Sequence, residues 1–188
     1  MKIPIAASLL AWALSSSAAA HELESNRATL VLRDSQHLSL TFFLDYPRVL
    51  HQVLAPQQPL KEFVLMYSAM NPAQLQSQLL EAQRKLQSGI AVRLHNGKAA
   101  VLAQWVWPEA KAVQTLMQQR AMQAVVAPAD HAHAATMEIR AQASSSSTKD
   151  FNMITLQLPP QFEQVLVVSY QPKQVLMKPG IPSVAIAF

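Results

Sequence analysis

Leu38, Leu40, Phe42 and Leu44 alternate with His37, Ser39, Thr41 and Asp45, and only Phe43 breaks the pattern. Successive side chains of an extended chain point to opposite faces, so this stretch carries one apolar face and one mostly polar face. A chain that contains it must bring other apolar groups to cover the first face. The run from Arg27 reads as the strand beside it, with Asp34-Ser35-Gln36 as the turn between them, so Arg27 to Asp45 is predicted to be two paired strands.

Proline punctuates the chain beyond this pair. Pro47 suits the first turn of a helix that Val49 to Leu54 continue until Pro56 and Pro59 interrupt, and a second short helix is expected over Leu60 to Met70. Asn71-Pro72 supplies a capping side chain followed by a residue whose missing N–H costs nothing at that position. Leu75, Leu79, Ala82 and Leu86 then fall on one helical face, and Gly89 is placed to close the helix in a left-handed cap. Asn96-Gly97, between Ile90 to Leu94 and Lys98 to Trp107, is a strong hairpin signal. A further helix is expected from near Pro108 towards Val125, with Val113, Leu116, Met117 and Ala121 inward. Strands return over Ala134 to Ala143, Phe151 to Leu158 and Val165 to Tyr170, and Gln174 to Phe188 can supply an edge strand or two around Pro179-Gly180. The expected fold class is α+β, mainly antiparallel β and sandwich-like, with two or three inserted helices.

The first residues read differently. Lys2, the apolar run Ile3 to Leu14 and the small residues up to Ala18-Ala19-Ala20 have the order of a secretory signal peptide with an Ala-x-Ala cleavage site. Residues 1–20 are therefore expected to be removed, leaving 21–188 as a single soluble β-rich domain in the periplasm, with His21 as its first residue. Apolar residues make up 51% of the chain and charged ones 14%, a balance that excludes disorder of the whole. Lys and Arg are dispersed, with no run longer than the pair Arg84-Lys85, which argues against nucleic acid as a partner. The absence of cysteine excludes disulfides, thiolate metal sites and cysteine nucleophiles. After the leader, no apolar run approaches the roughly 18 residues that a membrane-spanning helix needs.

Candidate chemistry rests on histidine. His21, as an N-terminal residue, would offer an α-amine and an imidazole from one backbone unit. In Asp130-His131-Ala132-His133 an extended chain would turn His131 and His133 to the same side, with Met137 farther along it. An amine, imidazoles and a thioether suit copper, and zinc would also accept the imidazoles. The bland alternative is that His131 and His133 are solvated residues of an Ala-rich turn. His37 and His95 lie beside predicted turns and are expected to be exposed, while His51 decorates a helix. No Gly-x-Ser-x-Gly elbow surrounds Ser144 to Ser147, His-Glu-x-x-His is absent, and no glycine-rich phosphate loop exists, so no enzyme class is indicated. Trp105 and Trp107 read first as core or sheet–helix contacts and second as anchors for a partner.

The exported His-Glu-Leu start, the Leu30-Val31-Leu32 and Leu38-Ser39-Leu40 strands, the Leu-rich helix and Gly89-Ile90-Ala91-Val92 together resemble the soluble leading region of HupE/UreJ-type membrane proteins. The resemblance covers about the first half of the chain after the leader. It implies an extracytoplasmic domain serving a membrane partner, in a family associated with nickel or other metals. This chain lacks that family's membrane helices and an Asp-Gly-Asp-Gly segment, so transport is not implied and no functional residue is carried over. The leading expectation is a non-enzymatic periplasmic accessory domain that binds a membrane or periplasmic protein. The alternative is a copper-type metal binder using His21, His131 and His133.

Overall fold

The structure, a computed structural model, describes residues 26–126, 135–146 and 150–172. In chain order the elements are β1 (Asn26–Leu32), β2 (His37–Leu44), α1 (Tyr46–Leu54), α2 (Leu60–Ser68), α3 (Pro72–Gly89), β3 (Ala91–Leu94), β4 (Val101–Val106), α4 (Ala110–Val126), β5 (Met137–Ser144), β6 (Ile154–Gln157) and β7 (Val165–Tyr170). The main sheet runs β4-β5-β2-β1-β7, and β3 and β6 form a separate two-stranded sheet.

The alternating stretch is the central strand, β2. It pairs antiparallel with β1 on one side, from Arg27↔Phe43 to Leu32↔Leu38, and with β5 on the other, from His37↔Ser144 to Leu44↔Met137. The turn between β1 and β2 closes on Asp34, whose carboxylate accepts the backbone N–H of Gln36 at 2.7 Å. Leu38, Leu40, Phe42 and Leu44 are all buried, as are Ala28 and Leu30 beside them and Ile139, Ala141 and Ala143 on β5.

Helices cover this face. The buried residues Val49 and Leu50 of α1, Phe63 and Tyr67 of α2, Leu75, Leu79, Ala82 and Leu86 of α3, and Val113 and Met117 of α4 belong to the same core as the inward strand residues. Two of the helix starts are capped, at Asn71 as the sequence places it and at Asp45, which the sequence pattern assigns only to the polar face of β2. Asp45 accepts the N–H of Arg48 at the head of α1, and Asn71 accepts that of Ala73 at the head of α3, with Pro47 and Pro72 in the first turns. Removing a leucine side chain from the α3 face, as in Leu79→Ala, would leave a cavity costing about 2–5 kcal/mol.

One polar corner ties the layers together. The Asn26 side chain accepts the backbone N–H of Asp45 at 2.8 Å and donates to the Phe162 carbonyl at 2.7 Å, joining the start of β1 to the head of α1 and to the segment before β7. Arg120 of α4 reaches the Asp45 carboxylate at 2.8 Å, with both side chains less than a fifth exposed. Partial burial and the cap shared with α1 make this pair worth more than a surface ion pair of the Arg48–Glu163 kind, where both partners are two-fifths exposed or more.

The α+β class and the largely antiparallel main sheet are as expected from the sequence, with differences in the second layer and in local detail. Among the described residues there are four α-helices, and they, with only a two-stranded sheet, form the layer opposite the main sheet. The Asn96-Gly97 turn forms, with Gly97 at φ +79°, yet the hairpin ends after the Arg93↔Ala99 bridge: β3 goes on to pair with β6, and β4 joins β5 instead. His51 does not decorate the surface of α1. It is 7% exposed, its Nε2 lies 2.6 Å from the Gln58 carbonyl, and its ring meets Phe63 edge-on, which replaces the hydration a free imidazole would keep. Trp105 and Trp107 stack with centroids 5.6 Å apart and pack against the core, in line with their structural reading.

Gly89 is small for a reason other than a turn. Its φ is not positive, so no left-handed cap is required of it. A Cβ built there would lie 2.7 Å from the Cβ of Pro159 and 3.3 Å from its Cα. The end of α3 and the chain after β6 touch at this point, and a ring locked by proline cannot swing aside. Gly89→Ala should therefore lose stability, by about 1–3 kcal/mol, despite the better helix propensity of alanine. Chemical denaturation measures this, and a variant as stable as the parent or more so would remove the close-approach explanation.

Candidate interaction surface at the sheet edge

β7 reads Val165-Leu-Val-Val-Ser-Tyr170, with no charge, glycine or proline in six residues. Bulky β-branched and aromatic residues favour an extended strand, and it forms as one, parallel to β1. The strand is entered through Glu163, at φ +54°, whose backbone N–H bonds to the Pro160 carbonyl and turns the chain out of a short 3-10 turn, Pro160–Phe162.

The register divides its side chains. Ala28↔Val167 and Leu30↔Ser169 place Val165, Val167 and Ser169 on the helix-covered face, whereas Arg27↔Leu166 and Val31↔Tyr170 place Leu166, Val168 and Tyr170 on the opposite face. Yet the helices do not reach this far: Val167 is 49% exposed although its neighbour Ala28 is fully buried. On the other face Leu166 is 39% and Tyr170 57% exposed. Apolar side chains thus stand in solvent on both faces of one edge strand, beside Val31 and the Phe43 ring that Arg27 covers at 4.6 Å.

The two edges of the sheet are built differently. At the far edge, β4 shifts register between Ala103 and Val106, and Gln104 has φ +52°, the mark of a bulge that twists an edge out of line for pairing. Along β7 the pairing with β1 is regular from Asn26↔Val165 to Val31↔Tyr170. Among the described residues no strand pairs with its outer side; Gln174 to Phe188, expected from the sequence to supply an edge strand or two, lie outside the described residues. A straight edge offers outward backbone N–H and C=O groups, and the exposed Leu166, Val167 and Tyr170 add apolar contact for whatever pairs there.

A polar recess lies elsewhere, at the turn end of β2. Nδ1 of His37 sits 2.9 Å from both carboxylate oxygens of Asp34, and a recess of about 590 Å³ is lined by His37, Asn96, Lys98, Ser144 and Ser145. The strand register sets His37 directly opposite Ser144. A carboxylate, an imidazole and hydroxyls are the ingredients of a proton relay, but His37 is 49% and Asp34 57% exposed, so bulk water competes for every contact. His95, too, is exposed, as its turn position implies.

His21, His131 and His133 lie outside the described residues. Met137 is described: it is partly buried at the start of β5, beside Glu109, Thr115 and Leu116. Among the described residues no group of three histidine, aspartate, glutamate or cysteine side chains is placed to hold a metal ion. Nothing in the sequence alone marks the β7 edge as functional: its uncharged composition is visible there, whereas its place at an edge depends on which strands pair. No family model matches the chain, and neither a curated protein nor a solved structure matches it.

The Asp34 carboxyl is held below the usual carboxylate range, first by the Gln36 N–H and second by the His37 side chain. Its contribution to the turn is therefore full above the ordinary carboxylate pKa and is lost as pH falls through the lowered one. NMR titration of the Asp34 carboxyl should give a midpoint below that of a free aspartate, and His37→Ala should return it only part of the way. Complete return would mean that histidine, not the backbone N–H, is the main cause.

Proposed function

We propose that the chain is an exported, non-enzymatic accessory domain of the periplasm that docks a protein partner along the outer side of β7, which no described strand covers. The observation that carries this reading is the contrast between the two sheet edges: a bulge interrupts β4, while β7 is regular, uncharged and apolar on both faces. Addition of a strand to such an edge satisfies the outward backbone groups and removes Leu166, Val167 and Tyr170 from water. At about 25 cal/mol per Å², burying these side chains would supply a few kcal/mol, enough for a specific but reversible contact. The signal-like residues 1–20 support export, and the resemblance to the leading region of HupE/UreJ-type proteins fits an accessory role beside a membrane. No described helix is long and apolar enough to cross a membrane.

A photo-crosslinking residue at position 166, in cells producing the full chain, is expected to link to a discrete protein. The same residue in place of Gln142, on the polar middle of the same sheet face, should not. Equal yields from both positions, or none from 166, would remove β7 as the docking element.

A metal-binding reading, with copper or zinc on His21, His131 and His133, draws support from one feature of the topology. Asn26 and Met137, the first residues of β1 and β5, lie at the same end of the sheet with only β2 between them, so the two points of entry are two strand spacings apart, about 10 Å. Calorimetric titration of the exported protein with copper(II) and zinc(II) tests it, once mass spectrometry has read the N-terminus. Tight one-to-one binding, weakened at least tenfold in His21→Ala and in His131→Ala/His133→Ala, is the expected result. Binding that neither variant alters would end this reading.

A further inference from the structure

We propose that a recess at the end of α3, where β3 and β4 part, binds a small organic acid: a carboxylate carried on a flat apolar body. This goes beyond the docking of a protein and uses no residue of β7. The recess has a volume of about 490 Å³, within the range of sites that hold small molecules. It exists because the strands of the Asn96-Gly97 hairpin separate. After the Arg93↔Ala99 bridge β3 turns to β6 and β4 to β5, leaving a space that the end of α3 flanks. Val92 and Leu102 give it an apolar lining, and the short side chains of Ala91 and Ala100 leave room in it. Every residue that lines it falls between Arg84 and Trp105, within one continuously described stretch.

The aromatic wall is obtained by bending the strand. Leu102 and Trp105 stand three residues apart and would point to opposite faces of a regular strand. The register shift between Ala103 and Val106 and the left-handed backbone of Gln104, at φ +52°, bring both side chains to the recess. A non-glycine residue at positive φ is strained, and here the strain aims an indole, stacked on Trp107, into the space. From α3, Arg84, Gln87 and Ser88 fall on one helical face, and Arg84 is the one charged residue of the lining. Glu81, one turn back, is held by Lys85 at 2.7 Å, so among the described residues the Arg84 guanidinium has no ion-pair partner. A planar guanidinium and an indole in one recess, with no carboxylate beside them, select an anion with an apolar body. The guanidinium fork takes both oxygens of a carboxylate, and the indole takes a flat group.

Trp105 and Trp107 are the only tryptophans after residue 20, so the fluorescence of the exported protein reads this recess. The probes are 3-phenylpropionate, its uncharged amide and acetate, with excitation where none of them absorbs. The first should give a saturable change with a Kd of about 1 mM or below. The amide, which lacks the charge, and acetate, which lacks the ring, should each bind at least tenfold more weakly. Arg84→Gln should weaken the acid to the level of the amide without moving the denaturation midpoint, because Arg84 is exposed. Lys85→Gln, a charge removed from the next position, should leave the affinity for the acid unchanged. No saturable change by about 10 mM, an amide or acetate that binds as tightly as the acid, or an Arg84→Gln variant as tight as the parent would each overturn the proposal. None of these outcomes depends on β7, and the crosslink at position 166 does not depend on Arg84, so failure of one leaves the other standing.

Discussion

The burial of one face of β2 is the constraint on which the rest of the structure depends. Leu38, Leu40, Phe42 and Leu44 cannot reach water once β1 and β5 flank them and the helices lie across them, and each is 5% exposed or less. That surface must be covered, and the residues that cover it come from α1, α2, α3 and α4. A shift of one residue in the pairing would turn all four to the other face, so the register of the central three strands is strongly determined. Phe43, the single break in the alternation, lies on the opposite face under the Arg27 guanidinium, where its ring is partly shielded without entering the core.

Polar groups enter this scheme mainly at its margins. The Asn26–Asp45–Arg120 corner sits where strand, helix start and sheet edge meet, and each bond there spans elements far apart in the chain. Inside, the pattern is less complete. Tyr46 is fully buried and its hydroxyl makes no well-formed hydrogen bond; burial pushes its phenol pKa well above the ordinary value, and the nearby Gln83 side chain offsets only part of this. The indole N–H of Trp107 is likewise buried and unpaired. A buried N–H left unpaired in this way costs about 1–3 kcal/mol, which the surrounding apolar contacts must offset.

The helical layer is narrower than the sheet, and β7 is where the difference appears. Val167 points to the covered side but projects past the helices, so a residue suited to a core stands half in water. The proposed docking role comes from this incomplete coverage together with a regular strand edge.

Much of the secondary structure could be read directly because its signals are local. The cap at Asn71, the turn at Asp34, the leucine face of α3 and the alternation of β2 are carried by residues close to one another along the chain, and backbone geometry acts over that range. What only the tertiary structure decided depends on residues far apart in sequence. The partner of β3 is β6 and not β4; β7 runs parallel to β1, last in the order of the described strands; Gly89 is small because Pro159 lies against it; and His51 is buried because Phe63 and the Gln58 carbonyl enclose it. Val165 to Tyr170 announces a strand in its own composition, but whether a strand is flanked on both sides or left open is settled by which other strands compete for its hydrogen bonds, and no local pattern encodes that competition.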